Sequence, residues 1–290
     1  MTRPGFMQQP GPALEPRLLA AEGRGEPFRF TLEPGLLLVE AMRRGFTAAG
    51  CASGTVRLKD AAFGPFTYVM PALSKDDQHA AFYSEFFRPA GIARMHAGAL
   101  SFGTRDGAAF FHCHGLWREA EGRECGGHVI PEEAVVAEAV EVEAFGVRGA
   151  RFEVMADPET NFRIFHPTQH PDEHGKGARA FVVRLRPNQD FCGALESFCR
   201  ERGIARARIH GGVGSTIGVC LTDGTVFENF ATEVYIEQGM IEPDAPGGLA
   251  AAIDIGLIDY TGRIARGRLV RGDNPVLMTF ELVIEEIAAA

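Results

Sequence analysis

The chain is written twice. Around residue 32 it reads FRFTLEPGLLLVEAMRRGFTAAGCASGTVRL, and around residue 185 it reads FVVRLRPNQDFCGALESFCRERGIARARIHGGVGSTIGVCL. Both stretches run strand, Leu-x-Pro-x turn, amphipathic segment, Arg-Gly, strand, small-residue turn, strand. The match continues downstream, where IARMHAGALSFGTRDGAAFFHCHG lies against TEVYIEQGMIEPDAPGGLAAAIDIG. A repeat fixes architecture before any other feature does, because each copy must bury the same pattern of apolar faces. The length agrees: 290 residues exceed the usual single core and favour two domains of roughly 100–150 residues each.

Within each copy one helix stands out. In the second, Phe191, Leu195, Phe198 and Cys199 fall on one stripe at i, i+4, i+7, i+8. Asn188 is the expected N-cap, Asp190 suits the positive first turn, and Gly203 should stop the helix. The shorter counterpart spans Leu36 to Arg44 and should end at Gly45. The rest reads as strand, in runs such as Ala180–Leu185, Thr225–Phe230 and Val276–Ile284. The expected class is α+β, with two tandem domains, each a mainly antiparallel sheet with one principal helix. Expected boundaries are a flexible arm over 1–26, a first domain over 27–154, a linker over 155–178 and a second domain over 179–290.

Charge argues about partners. The net charge is −9, and residues 1–154, 155–174 and 175–290 each carry −3. Tight sequence-independent binding to DNA needs many phosphate-neutralising cations, so this balance weighs against DNA. The stretch CRERGIARAR, residues 199–208, is the best candidate for a local basic patch, and reads better as a helix end with solvated cations. No apolar run approaches the ~20 residues that cross a bilayer, and the start lacks a signal-type apolar stretch. Six cysteines without regular spacing point to reduced thiols. A cytoplasmic protein that does not enter the membrane is expected.

The chemistry concentrates in histidines. Phe110-Phe111-His112-Cys113-His114-Gly115 is followed by Arg123-Glu124-Cys125-Gly126-Gly127-His128. On a strand, His112 and His114 share a face and Cys113 points away. A hairpin turning about Ala120, or just after it, brings His128 opposite His112 or His114. Three imidazoles then converge, which suits a divalent metal and leaves a fourth position open for water or substrate. Zinc is the default, although imidazole also suits copper, nickel and iron. Gly126-Gly127 should leave the mouth unobstructed, and Cys125 reads as a packed thiol rather than a ligand.

Other candidates are weaker. His166, His170 and His174 have helical spacing, but Pro167 and Pro171 interrupt it. Gly211–Ser215 resembles a phosphate cradle without its Lys and reads as a tight turn. Arg266-Gly267-Arg268-Leu269 lies in an expected strand and lacks the proline of a minor-groove-reading Arg-Gly-Arg-Pro element.

His-x-His, a Gly-containing turn and Gly-Gly-His, after a Leu-x-Pro-Gly helix start, resemble the plants and prokaryotes conserved (PPC) domain. The second copy is similar in its front half, through Leu185-Arg186-Pro187, Ala194-Leu195-Glu196 and Gly211-Gly212-Val213-Gly214-Ser215. The first copy is similar in its back half, through the histidines and Glu141-Val142-Glu143. The resemblance covers nearly all of residues 28–145 and 179–287. It implies a compact α+β domain, assembly as a homotrimer, and zinc on the three histidines. Setting Gly122 on Gly262 puts Ala252, Asp254 and Arg268 at the positions of His112, His114 and His128. Arginine stays protonated and alanine offers no ligand, so one metal per chain is expected, with Asp254 facing Arg268 as an ion pair. The functions left open are a metal-dependent enzyme, with Glu141 or Glu143 as orienter or base, a metal-bearing sensor of a small ligand, a DNA-associated regulator, and a structural oligomeric module.

Overall fold

Apolar alternation and frequent Gly and Asp turns make strands the dominant element, and the computed structural model describes them over residues 5–173, 175–244 and 247–288. The first half runs β1 (Leu18–Leu32), α1 (Leu38–Ala48), β2 (Ser53–Leu58), β3 (Ala61–Val69), β4 (Pro71–Leu73), β5 (Ala81–Tyr83), β6 (Ala93–Arg105), β7 (Ala108–Arg118), β8 (Glu124–Val136) and β9 (Val140–Arg148). A hairpin follows, β10 (Ala150–Asp157) with β11 (Phe162–Gln169). The second half runs β12 (Ala178–Leu185), α2 (Phe191–Glu201), β13 (Ala207–Cys220), β14 (Val226–Asp244), β15 (Gly248–Asp259), β16 (Ile264–Arg268) and β17 (Val276–Glu286). Among the described residues two short helices accompany a mostly antiparallel sheet.

Strand order repeats between the halves. The first pairs β1-β9-β2-β6-β7-β8, and the second pairs β12-β17-β13-β14-β15-β16 in the corresponding order. In the first half β3 also pairs with both β6 and β8, closing β6, β7, β8 and β3 into a ring. The halves join through β1 and β12, antiparallel from Leu18 opposite Leu185 to Gly25 opposite Ala178. One 15-stranded sheet results.

Each helix plugs its own half. Leu38, Met42 and Phe46 of α1 enter one buried cluster, and Phe191, Leu195, Phe198 and Cys199 of α2 enter the other, as the stripe requires. The ends differ from expectation. Asp190, not Asn188, caps α2 by accepting the Gly193 amide at 2.7 Å. Asn188 has φ +64° and instead exchanges hydrogen bonds with the backbone of Met7. Helix α1 continues through Gly45, where a side chain would strike the Phe30 ring at 2.3 Å, and the chain turns at Gly50 with φ +67°. Gly211–Ser215 is extended strand within β13, not a turn, and its small residues let β17 pass close alongside.

The sheets of the two halves also pack face to face. Ala99 and Leu116 of the first meet Val213 and Tyr235 of the second in one buried cluster. Phe145 stacks on His210 with ring centroids 3.6 Å apart. The sheet face that a single helix leaves open is therefore covered from within the chain.

The segments expected as arm and linker are built into the sheet. Within 155–178, residues 155–157 end β10 and residues 162–169 form β11, and the end of the arm forms the start of β1. Gln9 is buried and donates to the Leu277 carbonyl at 2.8 Å. Behind β12 lies a buried ionic cluster. Arg184, fully buried, binds Asp157, which Arg186 also approaches, and Arg17 forks onto Glu159 at 2.8 and 2.9 Å. Burial alone would raise the Asp157 carboxyl, but Arg184 and Arg186 hold it below its ordinary value.

This joint can be tested at two residues. Replacing Asp157 with Asn leaves Arg184 charged and uncompensated, so D157N should lose about 3–5 kcal/mol in urea unfolding; a loss under about 1 kcal/mol would count against the pair as a structural element. His166 accepts from Arg184 at 2.8 Å, and burial, then Arg184, hold its pKa down to about 4. The unfolded chain therefore takes up this proton first. Its contribution should fall as pH drops from the ordinary histidine value of 6.5 towards about 4, a loss that H166Q should remove from the melting-temperature profile.

Candidate metal centre

Strands β7 and β8 carry the three histidines, and their register puts His114 directly opposite His128. The hairpin turns just after Ala120, as the parity argument requires. His112 sits two residues before His114 on the same face, while Cys113 is wholly buried in the core of the first half. Gly127 is required by the backbone packing, because with φ +146° a side chain there would lie 2.3 Å from the Val69 carbonyl of β3. Cys125 also turns away, its Sγ 3.3 Å from the Tyr68 hydroxyl.

The ring nitrogens converge tightly. His112 Nε2 lies 3.0 Å from His114 Nε2, which lies 3.3 Å from His128 Nδ1. One ligand atom from each falls within 4.8 Å of the others. The outer nitrogens are held by the second half: His112 Nδ1 meets Glu281 Oε2 of β17 at 2.7 Å, and His114 Nδ1 meets the Val234 carbonyl of β14 at 3.1 Å. Those acceptors require Nδ1–H in both rings, so both Nε2 lone pairs point at the same small volume. Lone pairs at that spacing repel unless a proton or a metal ion lies between them. The donor set fits a metal on this ground, and the three histidines could hold one.

Burial disfavours the charged form of His114 and His128, and a ligand must be neutral. Burial first, then the neighbouring His112 and His128, push His114 well below the ordinary histidine value. Burial and His112 do the same to His128.

A pocket of about 60 Å³ opens on His112 and His114, with Tyr83, Phe162 and Leu277 among its walls and no Lys or Arg. Glu233 of β14 also lines it, only 5% exposed, with Oε1 4.0 Å from His114 Nε2 and Oε2 without a partner among the described residues. Burial raises its carboxyl well above the usual carboxylate range.

The carboxylates expected near the site are elsewhere. Glu141 and Glu143 face solvent, paired with Arg29 at 3.4 and 2.6 Å. Glu281 and Glu233 take those places. Their signal was a carboxylate inside an apolar run, MTFELVI for Glu281 and ATEVYI for Glu233, but nothing local said which half they would face. His166 and His170 do not form a second cluster, since His166 binds Arg184 and His170 meets Glu153 at 3.2 Å. His174 lies outside the described residues. In the second half Asp254 stands opposite Arg268 and binds it at 2.8 and 2.9 Å, beside Ala252 in a cleft of about 880 Å³.

If Glu281 orients His112 for a metal, the isosteric E281Q should weaken zinc affinity by roughly ten- to hundredfold. Competition with a chromophoric chelator measures it, and an unchanged affinity would show that packing alone positions the ring.

The chain is similar to solved structures over about half its length. A PPC protein from Pyrococcus horikoshii shares 16% identity, with 52% of this chain and 97% of that one covered and a TM-score of 0.39. A metal-containing protein from Archaeoglobus fulgidus shares 19% identity over 49% and 94%, with a TM-score of 0.38. A Ralstonia eutropha protein, whose name suggests DNA binding without establishing it, shares 16% over 47% and 88%, with a TM-score of 0.34. No curated protein matches the chain. Residues 172–288 match the Plants and Prokaryotes Conserved (PCC) domain, a range that contains Glu233 and Glu281 but not the three histidines. The likeness to the PCC domain family thus lies in the second half of the chain.

Proposed function

We propose that this is a tandem PCC-type protein whose first half, residues 27–154, binds one divalent metal, zinc by default, at His112, His114 and His128, and which acts on or senses a small ligand there. The observation that carries this reading is the convergence of imidazole lone pairs whose opposite nitrogens are already committed to Glu281 and Val234. A metal held so would supply Lewis acidity and lower the pKa of a bound water towards about 7. The chain supplies the rest: neutral ligands, fixed ring orientations, apolar walls that limit water, and space for about two waters' volume. The second half, residues 179–290, keeps Asp254 and Arg268 in place of ligands, which supports one metal rather than two.

The repeated strand order supports duplication. Each half covers apolar surface of the other, so no second chain is needed to bury it, and the three histidines all come from one chain. A mass near 31.4 kDa by light scattering is the expectation, and three times that would restore the trimer. No helix among the described residues is long and apolar enough to cross a membrane, and free cysteines support a cytoplasmic setting.

Duplex DNA is not the partner we assign. Net charge is −9, and within the basic stretch Arg206 is paired with Glu242 at 2.6 Å while Arg202 lies over Phe181 and Phe198. Arg266 and Arg268 are tied to Glu237 and Asp254.

Elemental analysis of untagged protein purified without chelator should find about one divalent ion per chain. Chelation should lower the melting temperature, since a ligand bound only by the native state stabilises it. Protein that carries no metal and takes none up on zinc titration would defeat the reading.

A further inference from the structure

The histidine cluster is supplied by one half of the chain, but its surroundings are supplied by the other. Val234 holds His114 through its carbonyl at 3.1 Å, and this pins the neighbouring residue, Glu233, beside the site. Glu233 is buried, its Oε1 stands 4.0 Å from His114 Nε2, and its Oε2 has no hydrogen-bond partner among the described residues. It lines the same small pocket as His112 and His114. Glu281 is different, because its two oxygens are engaged by His112 and by the Thr279 hydroxyl. A buried carboxyl with an unpartnered oxygen is costly unless something else binds it. The pocket it shares with the histidines is where that partner belongs.

We propose that Glu233 completes the histidine site from across the chain: it faces the pocket and accepts a hydrogen bond from the water or ligand oxygen that occupies it. The second half, which has lost its own ligand set, would thus supply the ligand-facing residue of the only three-histidine cluster among the described residues. The inference rests on the metal reading above, and its test separates the two.

The experiment is zinc titration of the full chain in competition with a chromophoric chelator, for wild type, H128A, E233Q and the surface control E132Q. Glu132 pairs with Arg105 at the surface, so E132Q should match wild type. H128A should lose binding. E233Q keeps the shape but replaces the carboxyl that faces the pocket with an amide, and should weaken zinc at least tenfold while leaving the metal-free melting temperature within a few degrees. If E233Q does not fold, E233D serves in its place, with an intermediate loss expected because the carboxylate is retracted. If H128A loses zinc and the Glu233 variant binds like wild type, the metal reading stands and the role of Glu233 is overturned. If wild type takes up no zinc, the metal reading falls and this inference falls with it.

Discussion

The antiparallel pairing of β1 with β12 is the contact on which the rest of the molecule depends. Its eight residue pairs, from Leu18 opposite Leu185 to Gly25 opposite Ala178, join two half-sheets of the same strand order into one. Pairing at that edge removes two exposed strand edges at once. It also fixes which face of each half meets the other. The face of β6 and β7 that carries Ala99 and Leu116 is covered by Val213 and Tyr235, and the same apposition lays β14 and β17 over the histidines. The fold and the site are therefore consequences of one arrangement.

That arrangement places polar groups where burial is expensive, and the structure answers in two ways. Around Arg184 the answer is pairing: Asp157, His166 and the Thr279 hydroxyl surround the guanidinium, and the neighbouring Arg186 and Arg17 engage Asp157 and Glu159. Around the histidines the answer is neutrality. Desolvation holds His114 and His128 uncharged, and carboxylate and carbonyl acceptors on β17 and β14 settle which nitrogen carries the proton. Outer partners of this kind set ligand orientation and basicity as much as the ligands themselves do. Here they come from sequence about 120 to 170 residues away.

Much of this was legible locally. Two-residue periodicity placed His112 and His114 on one face, and hairpin parity put His128 opposite one of them, which the register shows to be His114. The apolar stripe of α2 is buried residue for residue, and the ion pair of Asp254 with Arg268 follows from aligning the two copies. Errors arose where a distant segment overrode a local signal. Asn188 looks like a cap but is drawn to Met7, Gly45 looks like a stop but makes room for Phe30, and the proline-containing 155–178 looks like a linker but contributes residues 162–169 as the strand that pairs with β10. Glu141 and Glu143 follow the histidine hairpin in sequence, yet their strand turns them to solvent and Arg29.

Sequence by itself determined the strand-rich class, the shared face of His112 and His114, and the facing of Asp254 and Arg268. These depend on period, turn chemistry and residue type, all of which act over a few residues. Only the tertiary structure decided that the two halves share one sheet and stack face to face, and that Glu281, Val234 and Glu233 of one half surround the histidines of the other. Packing between sheets is set by which apolar faces find each other after the strands exist, and no local pattern in either copy encodes that choice.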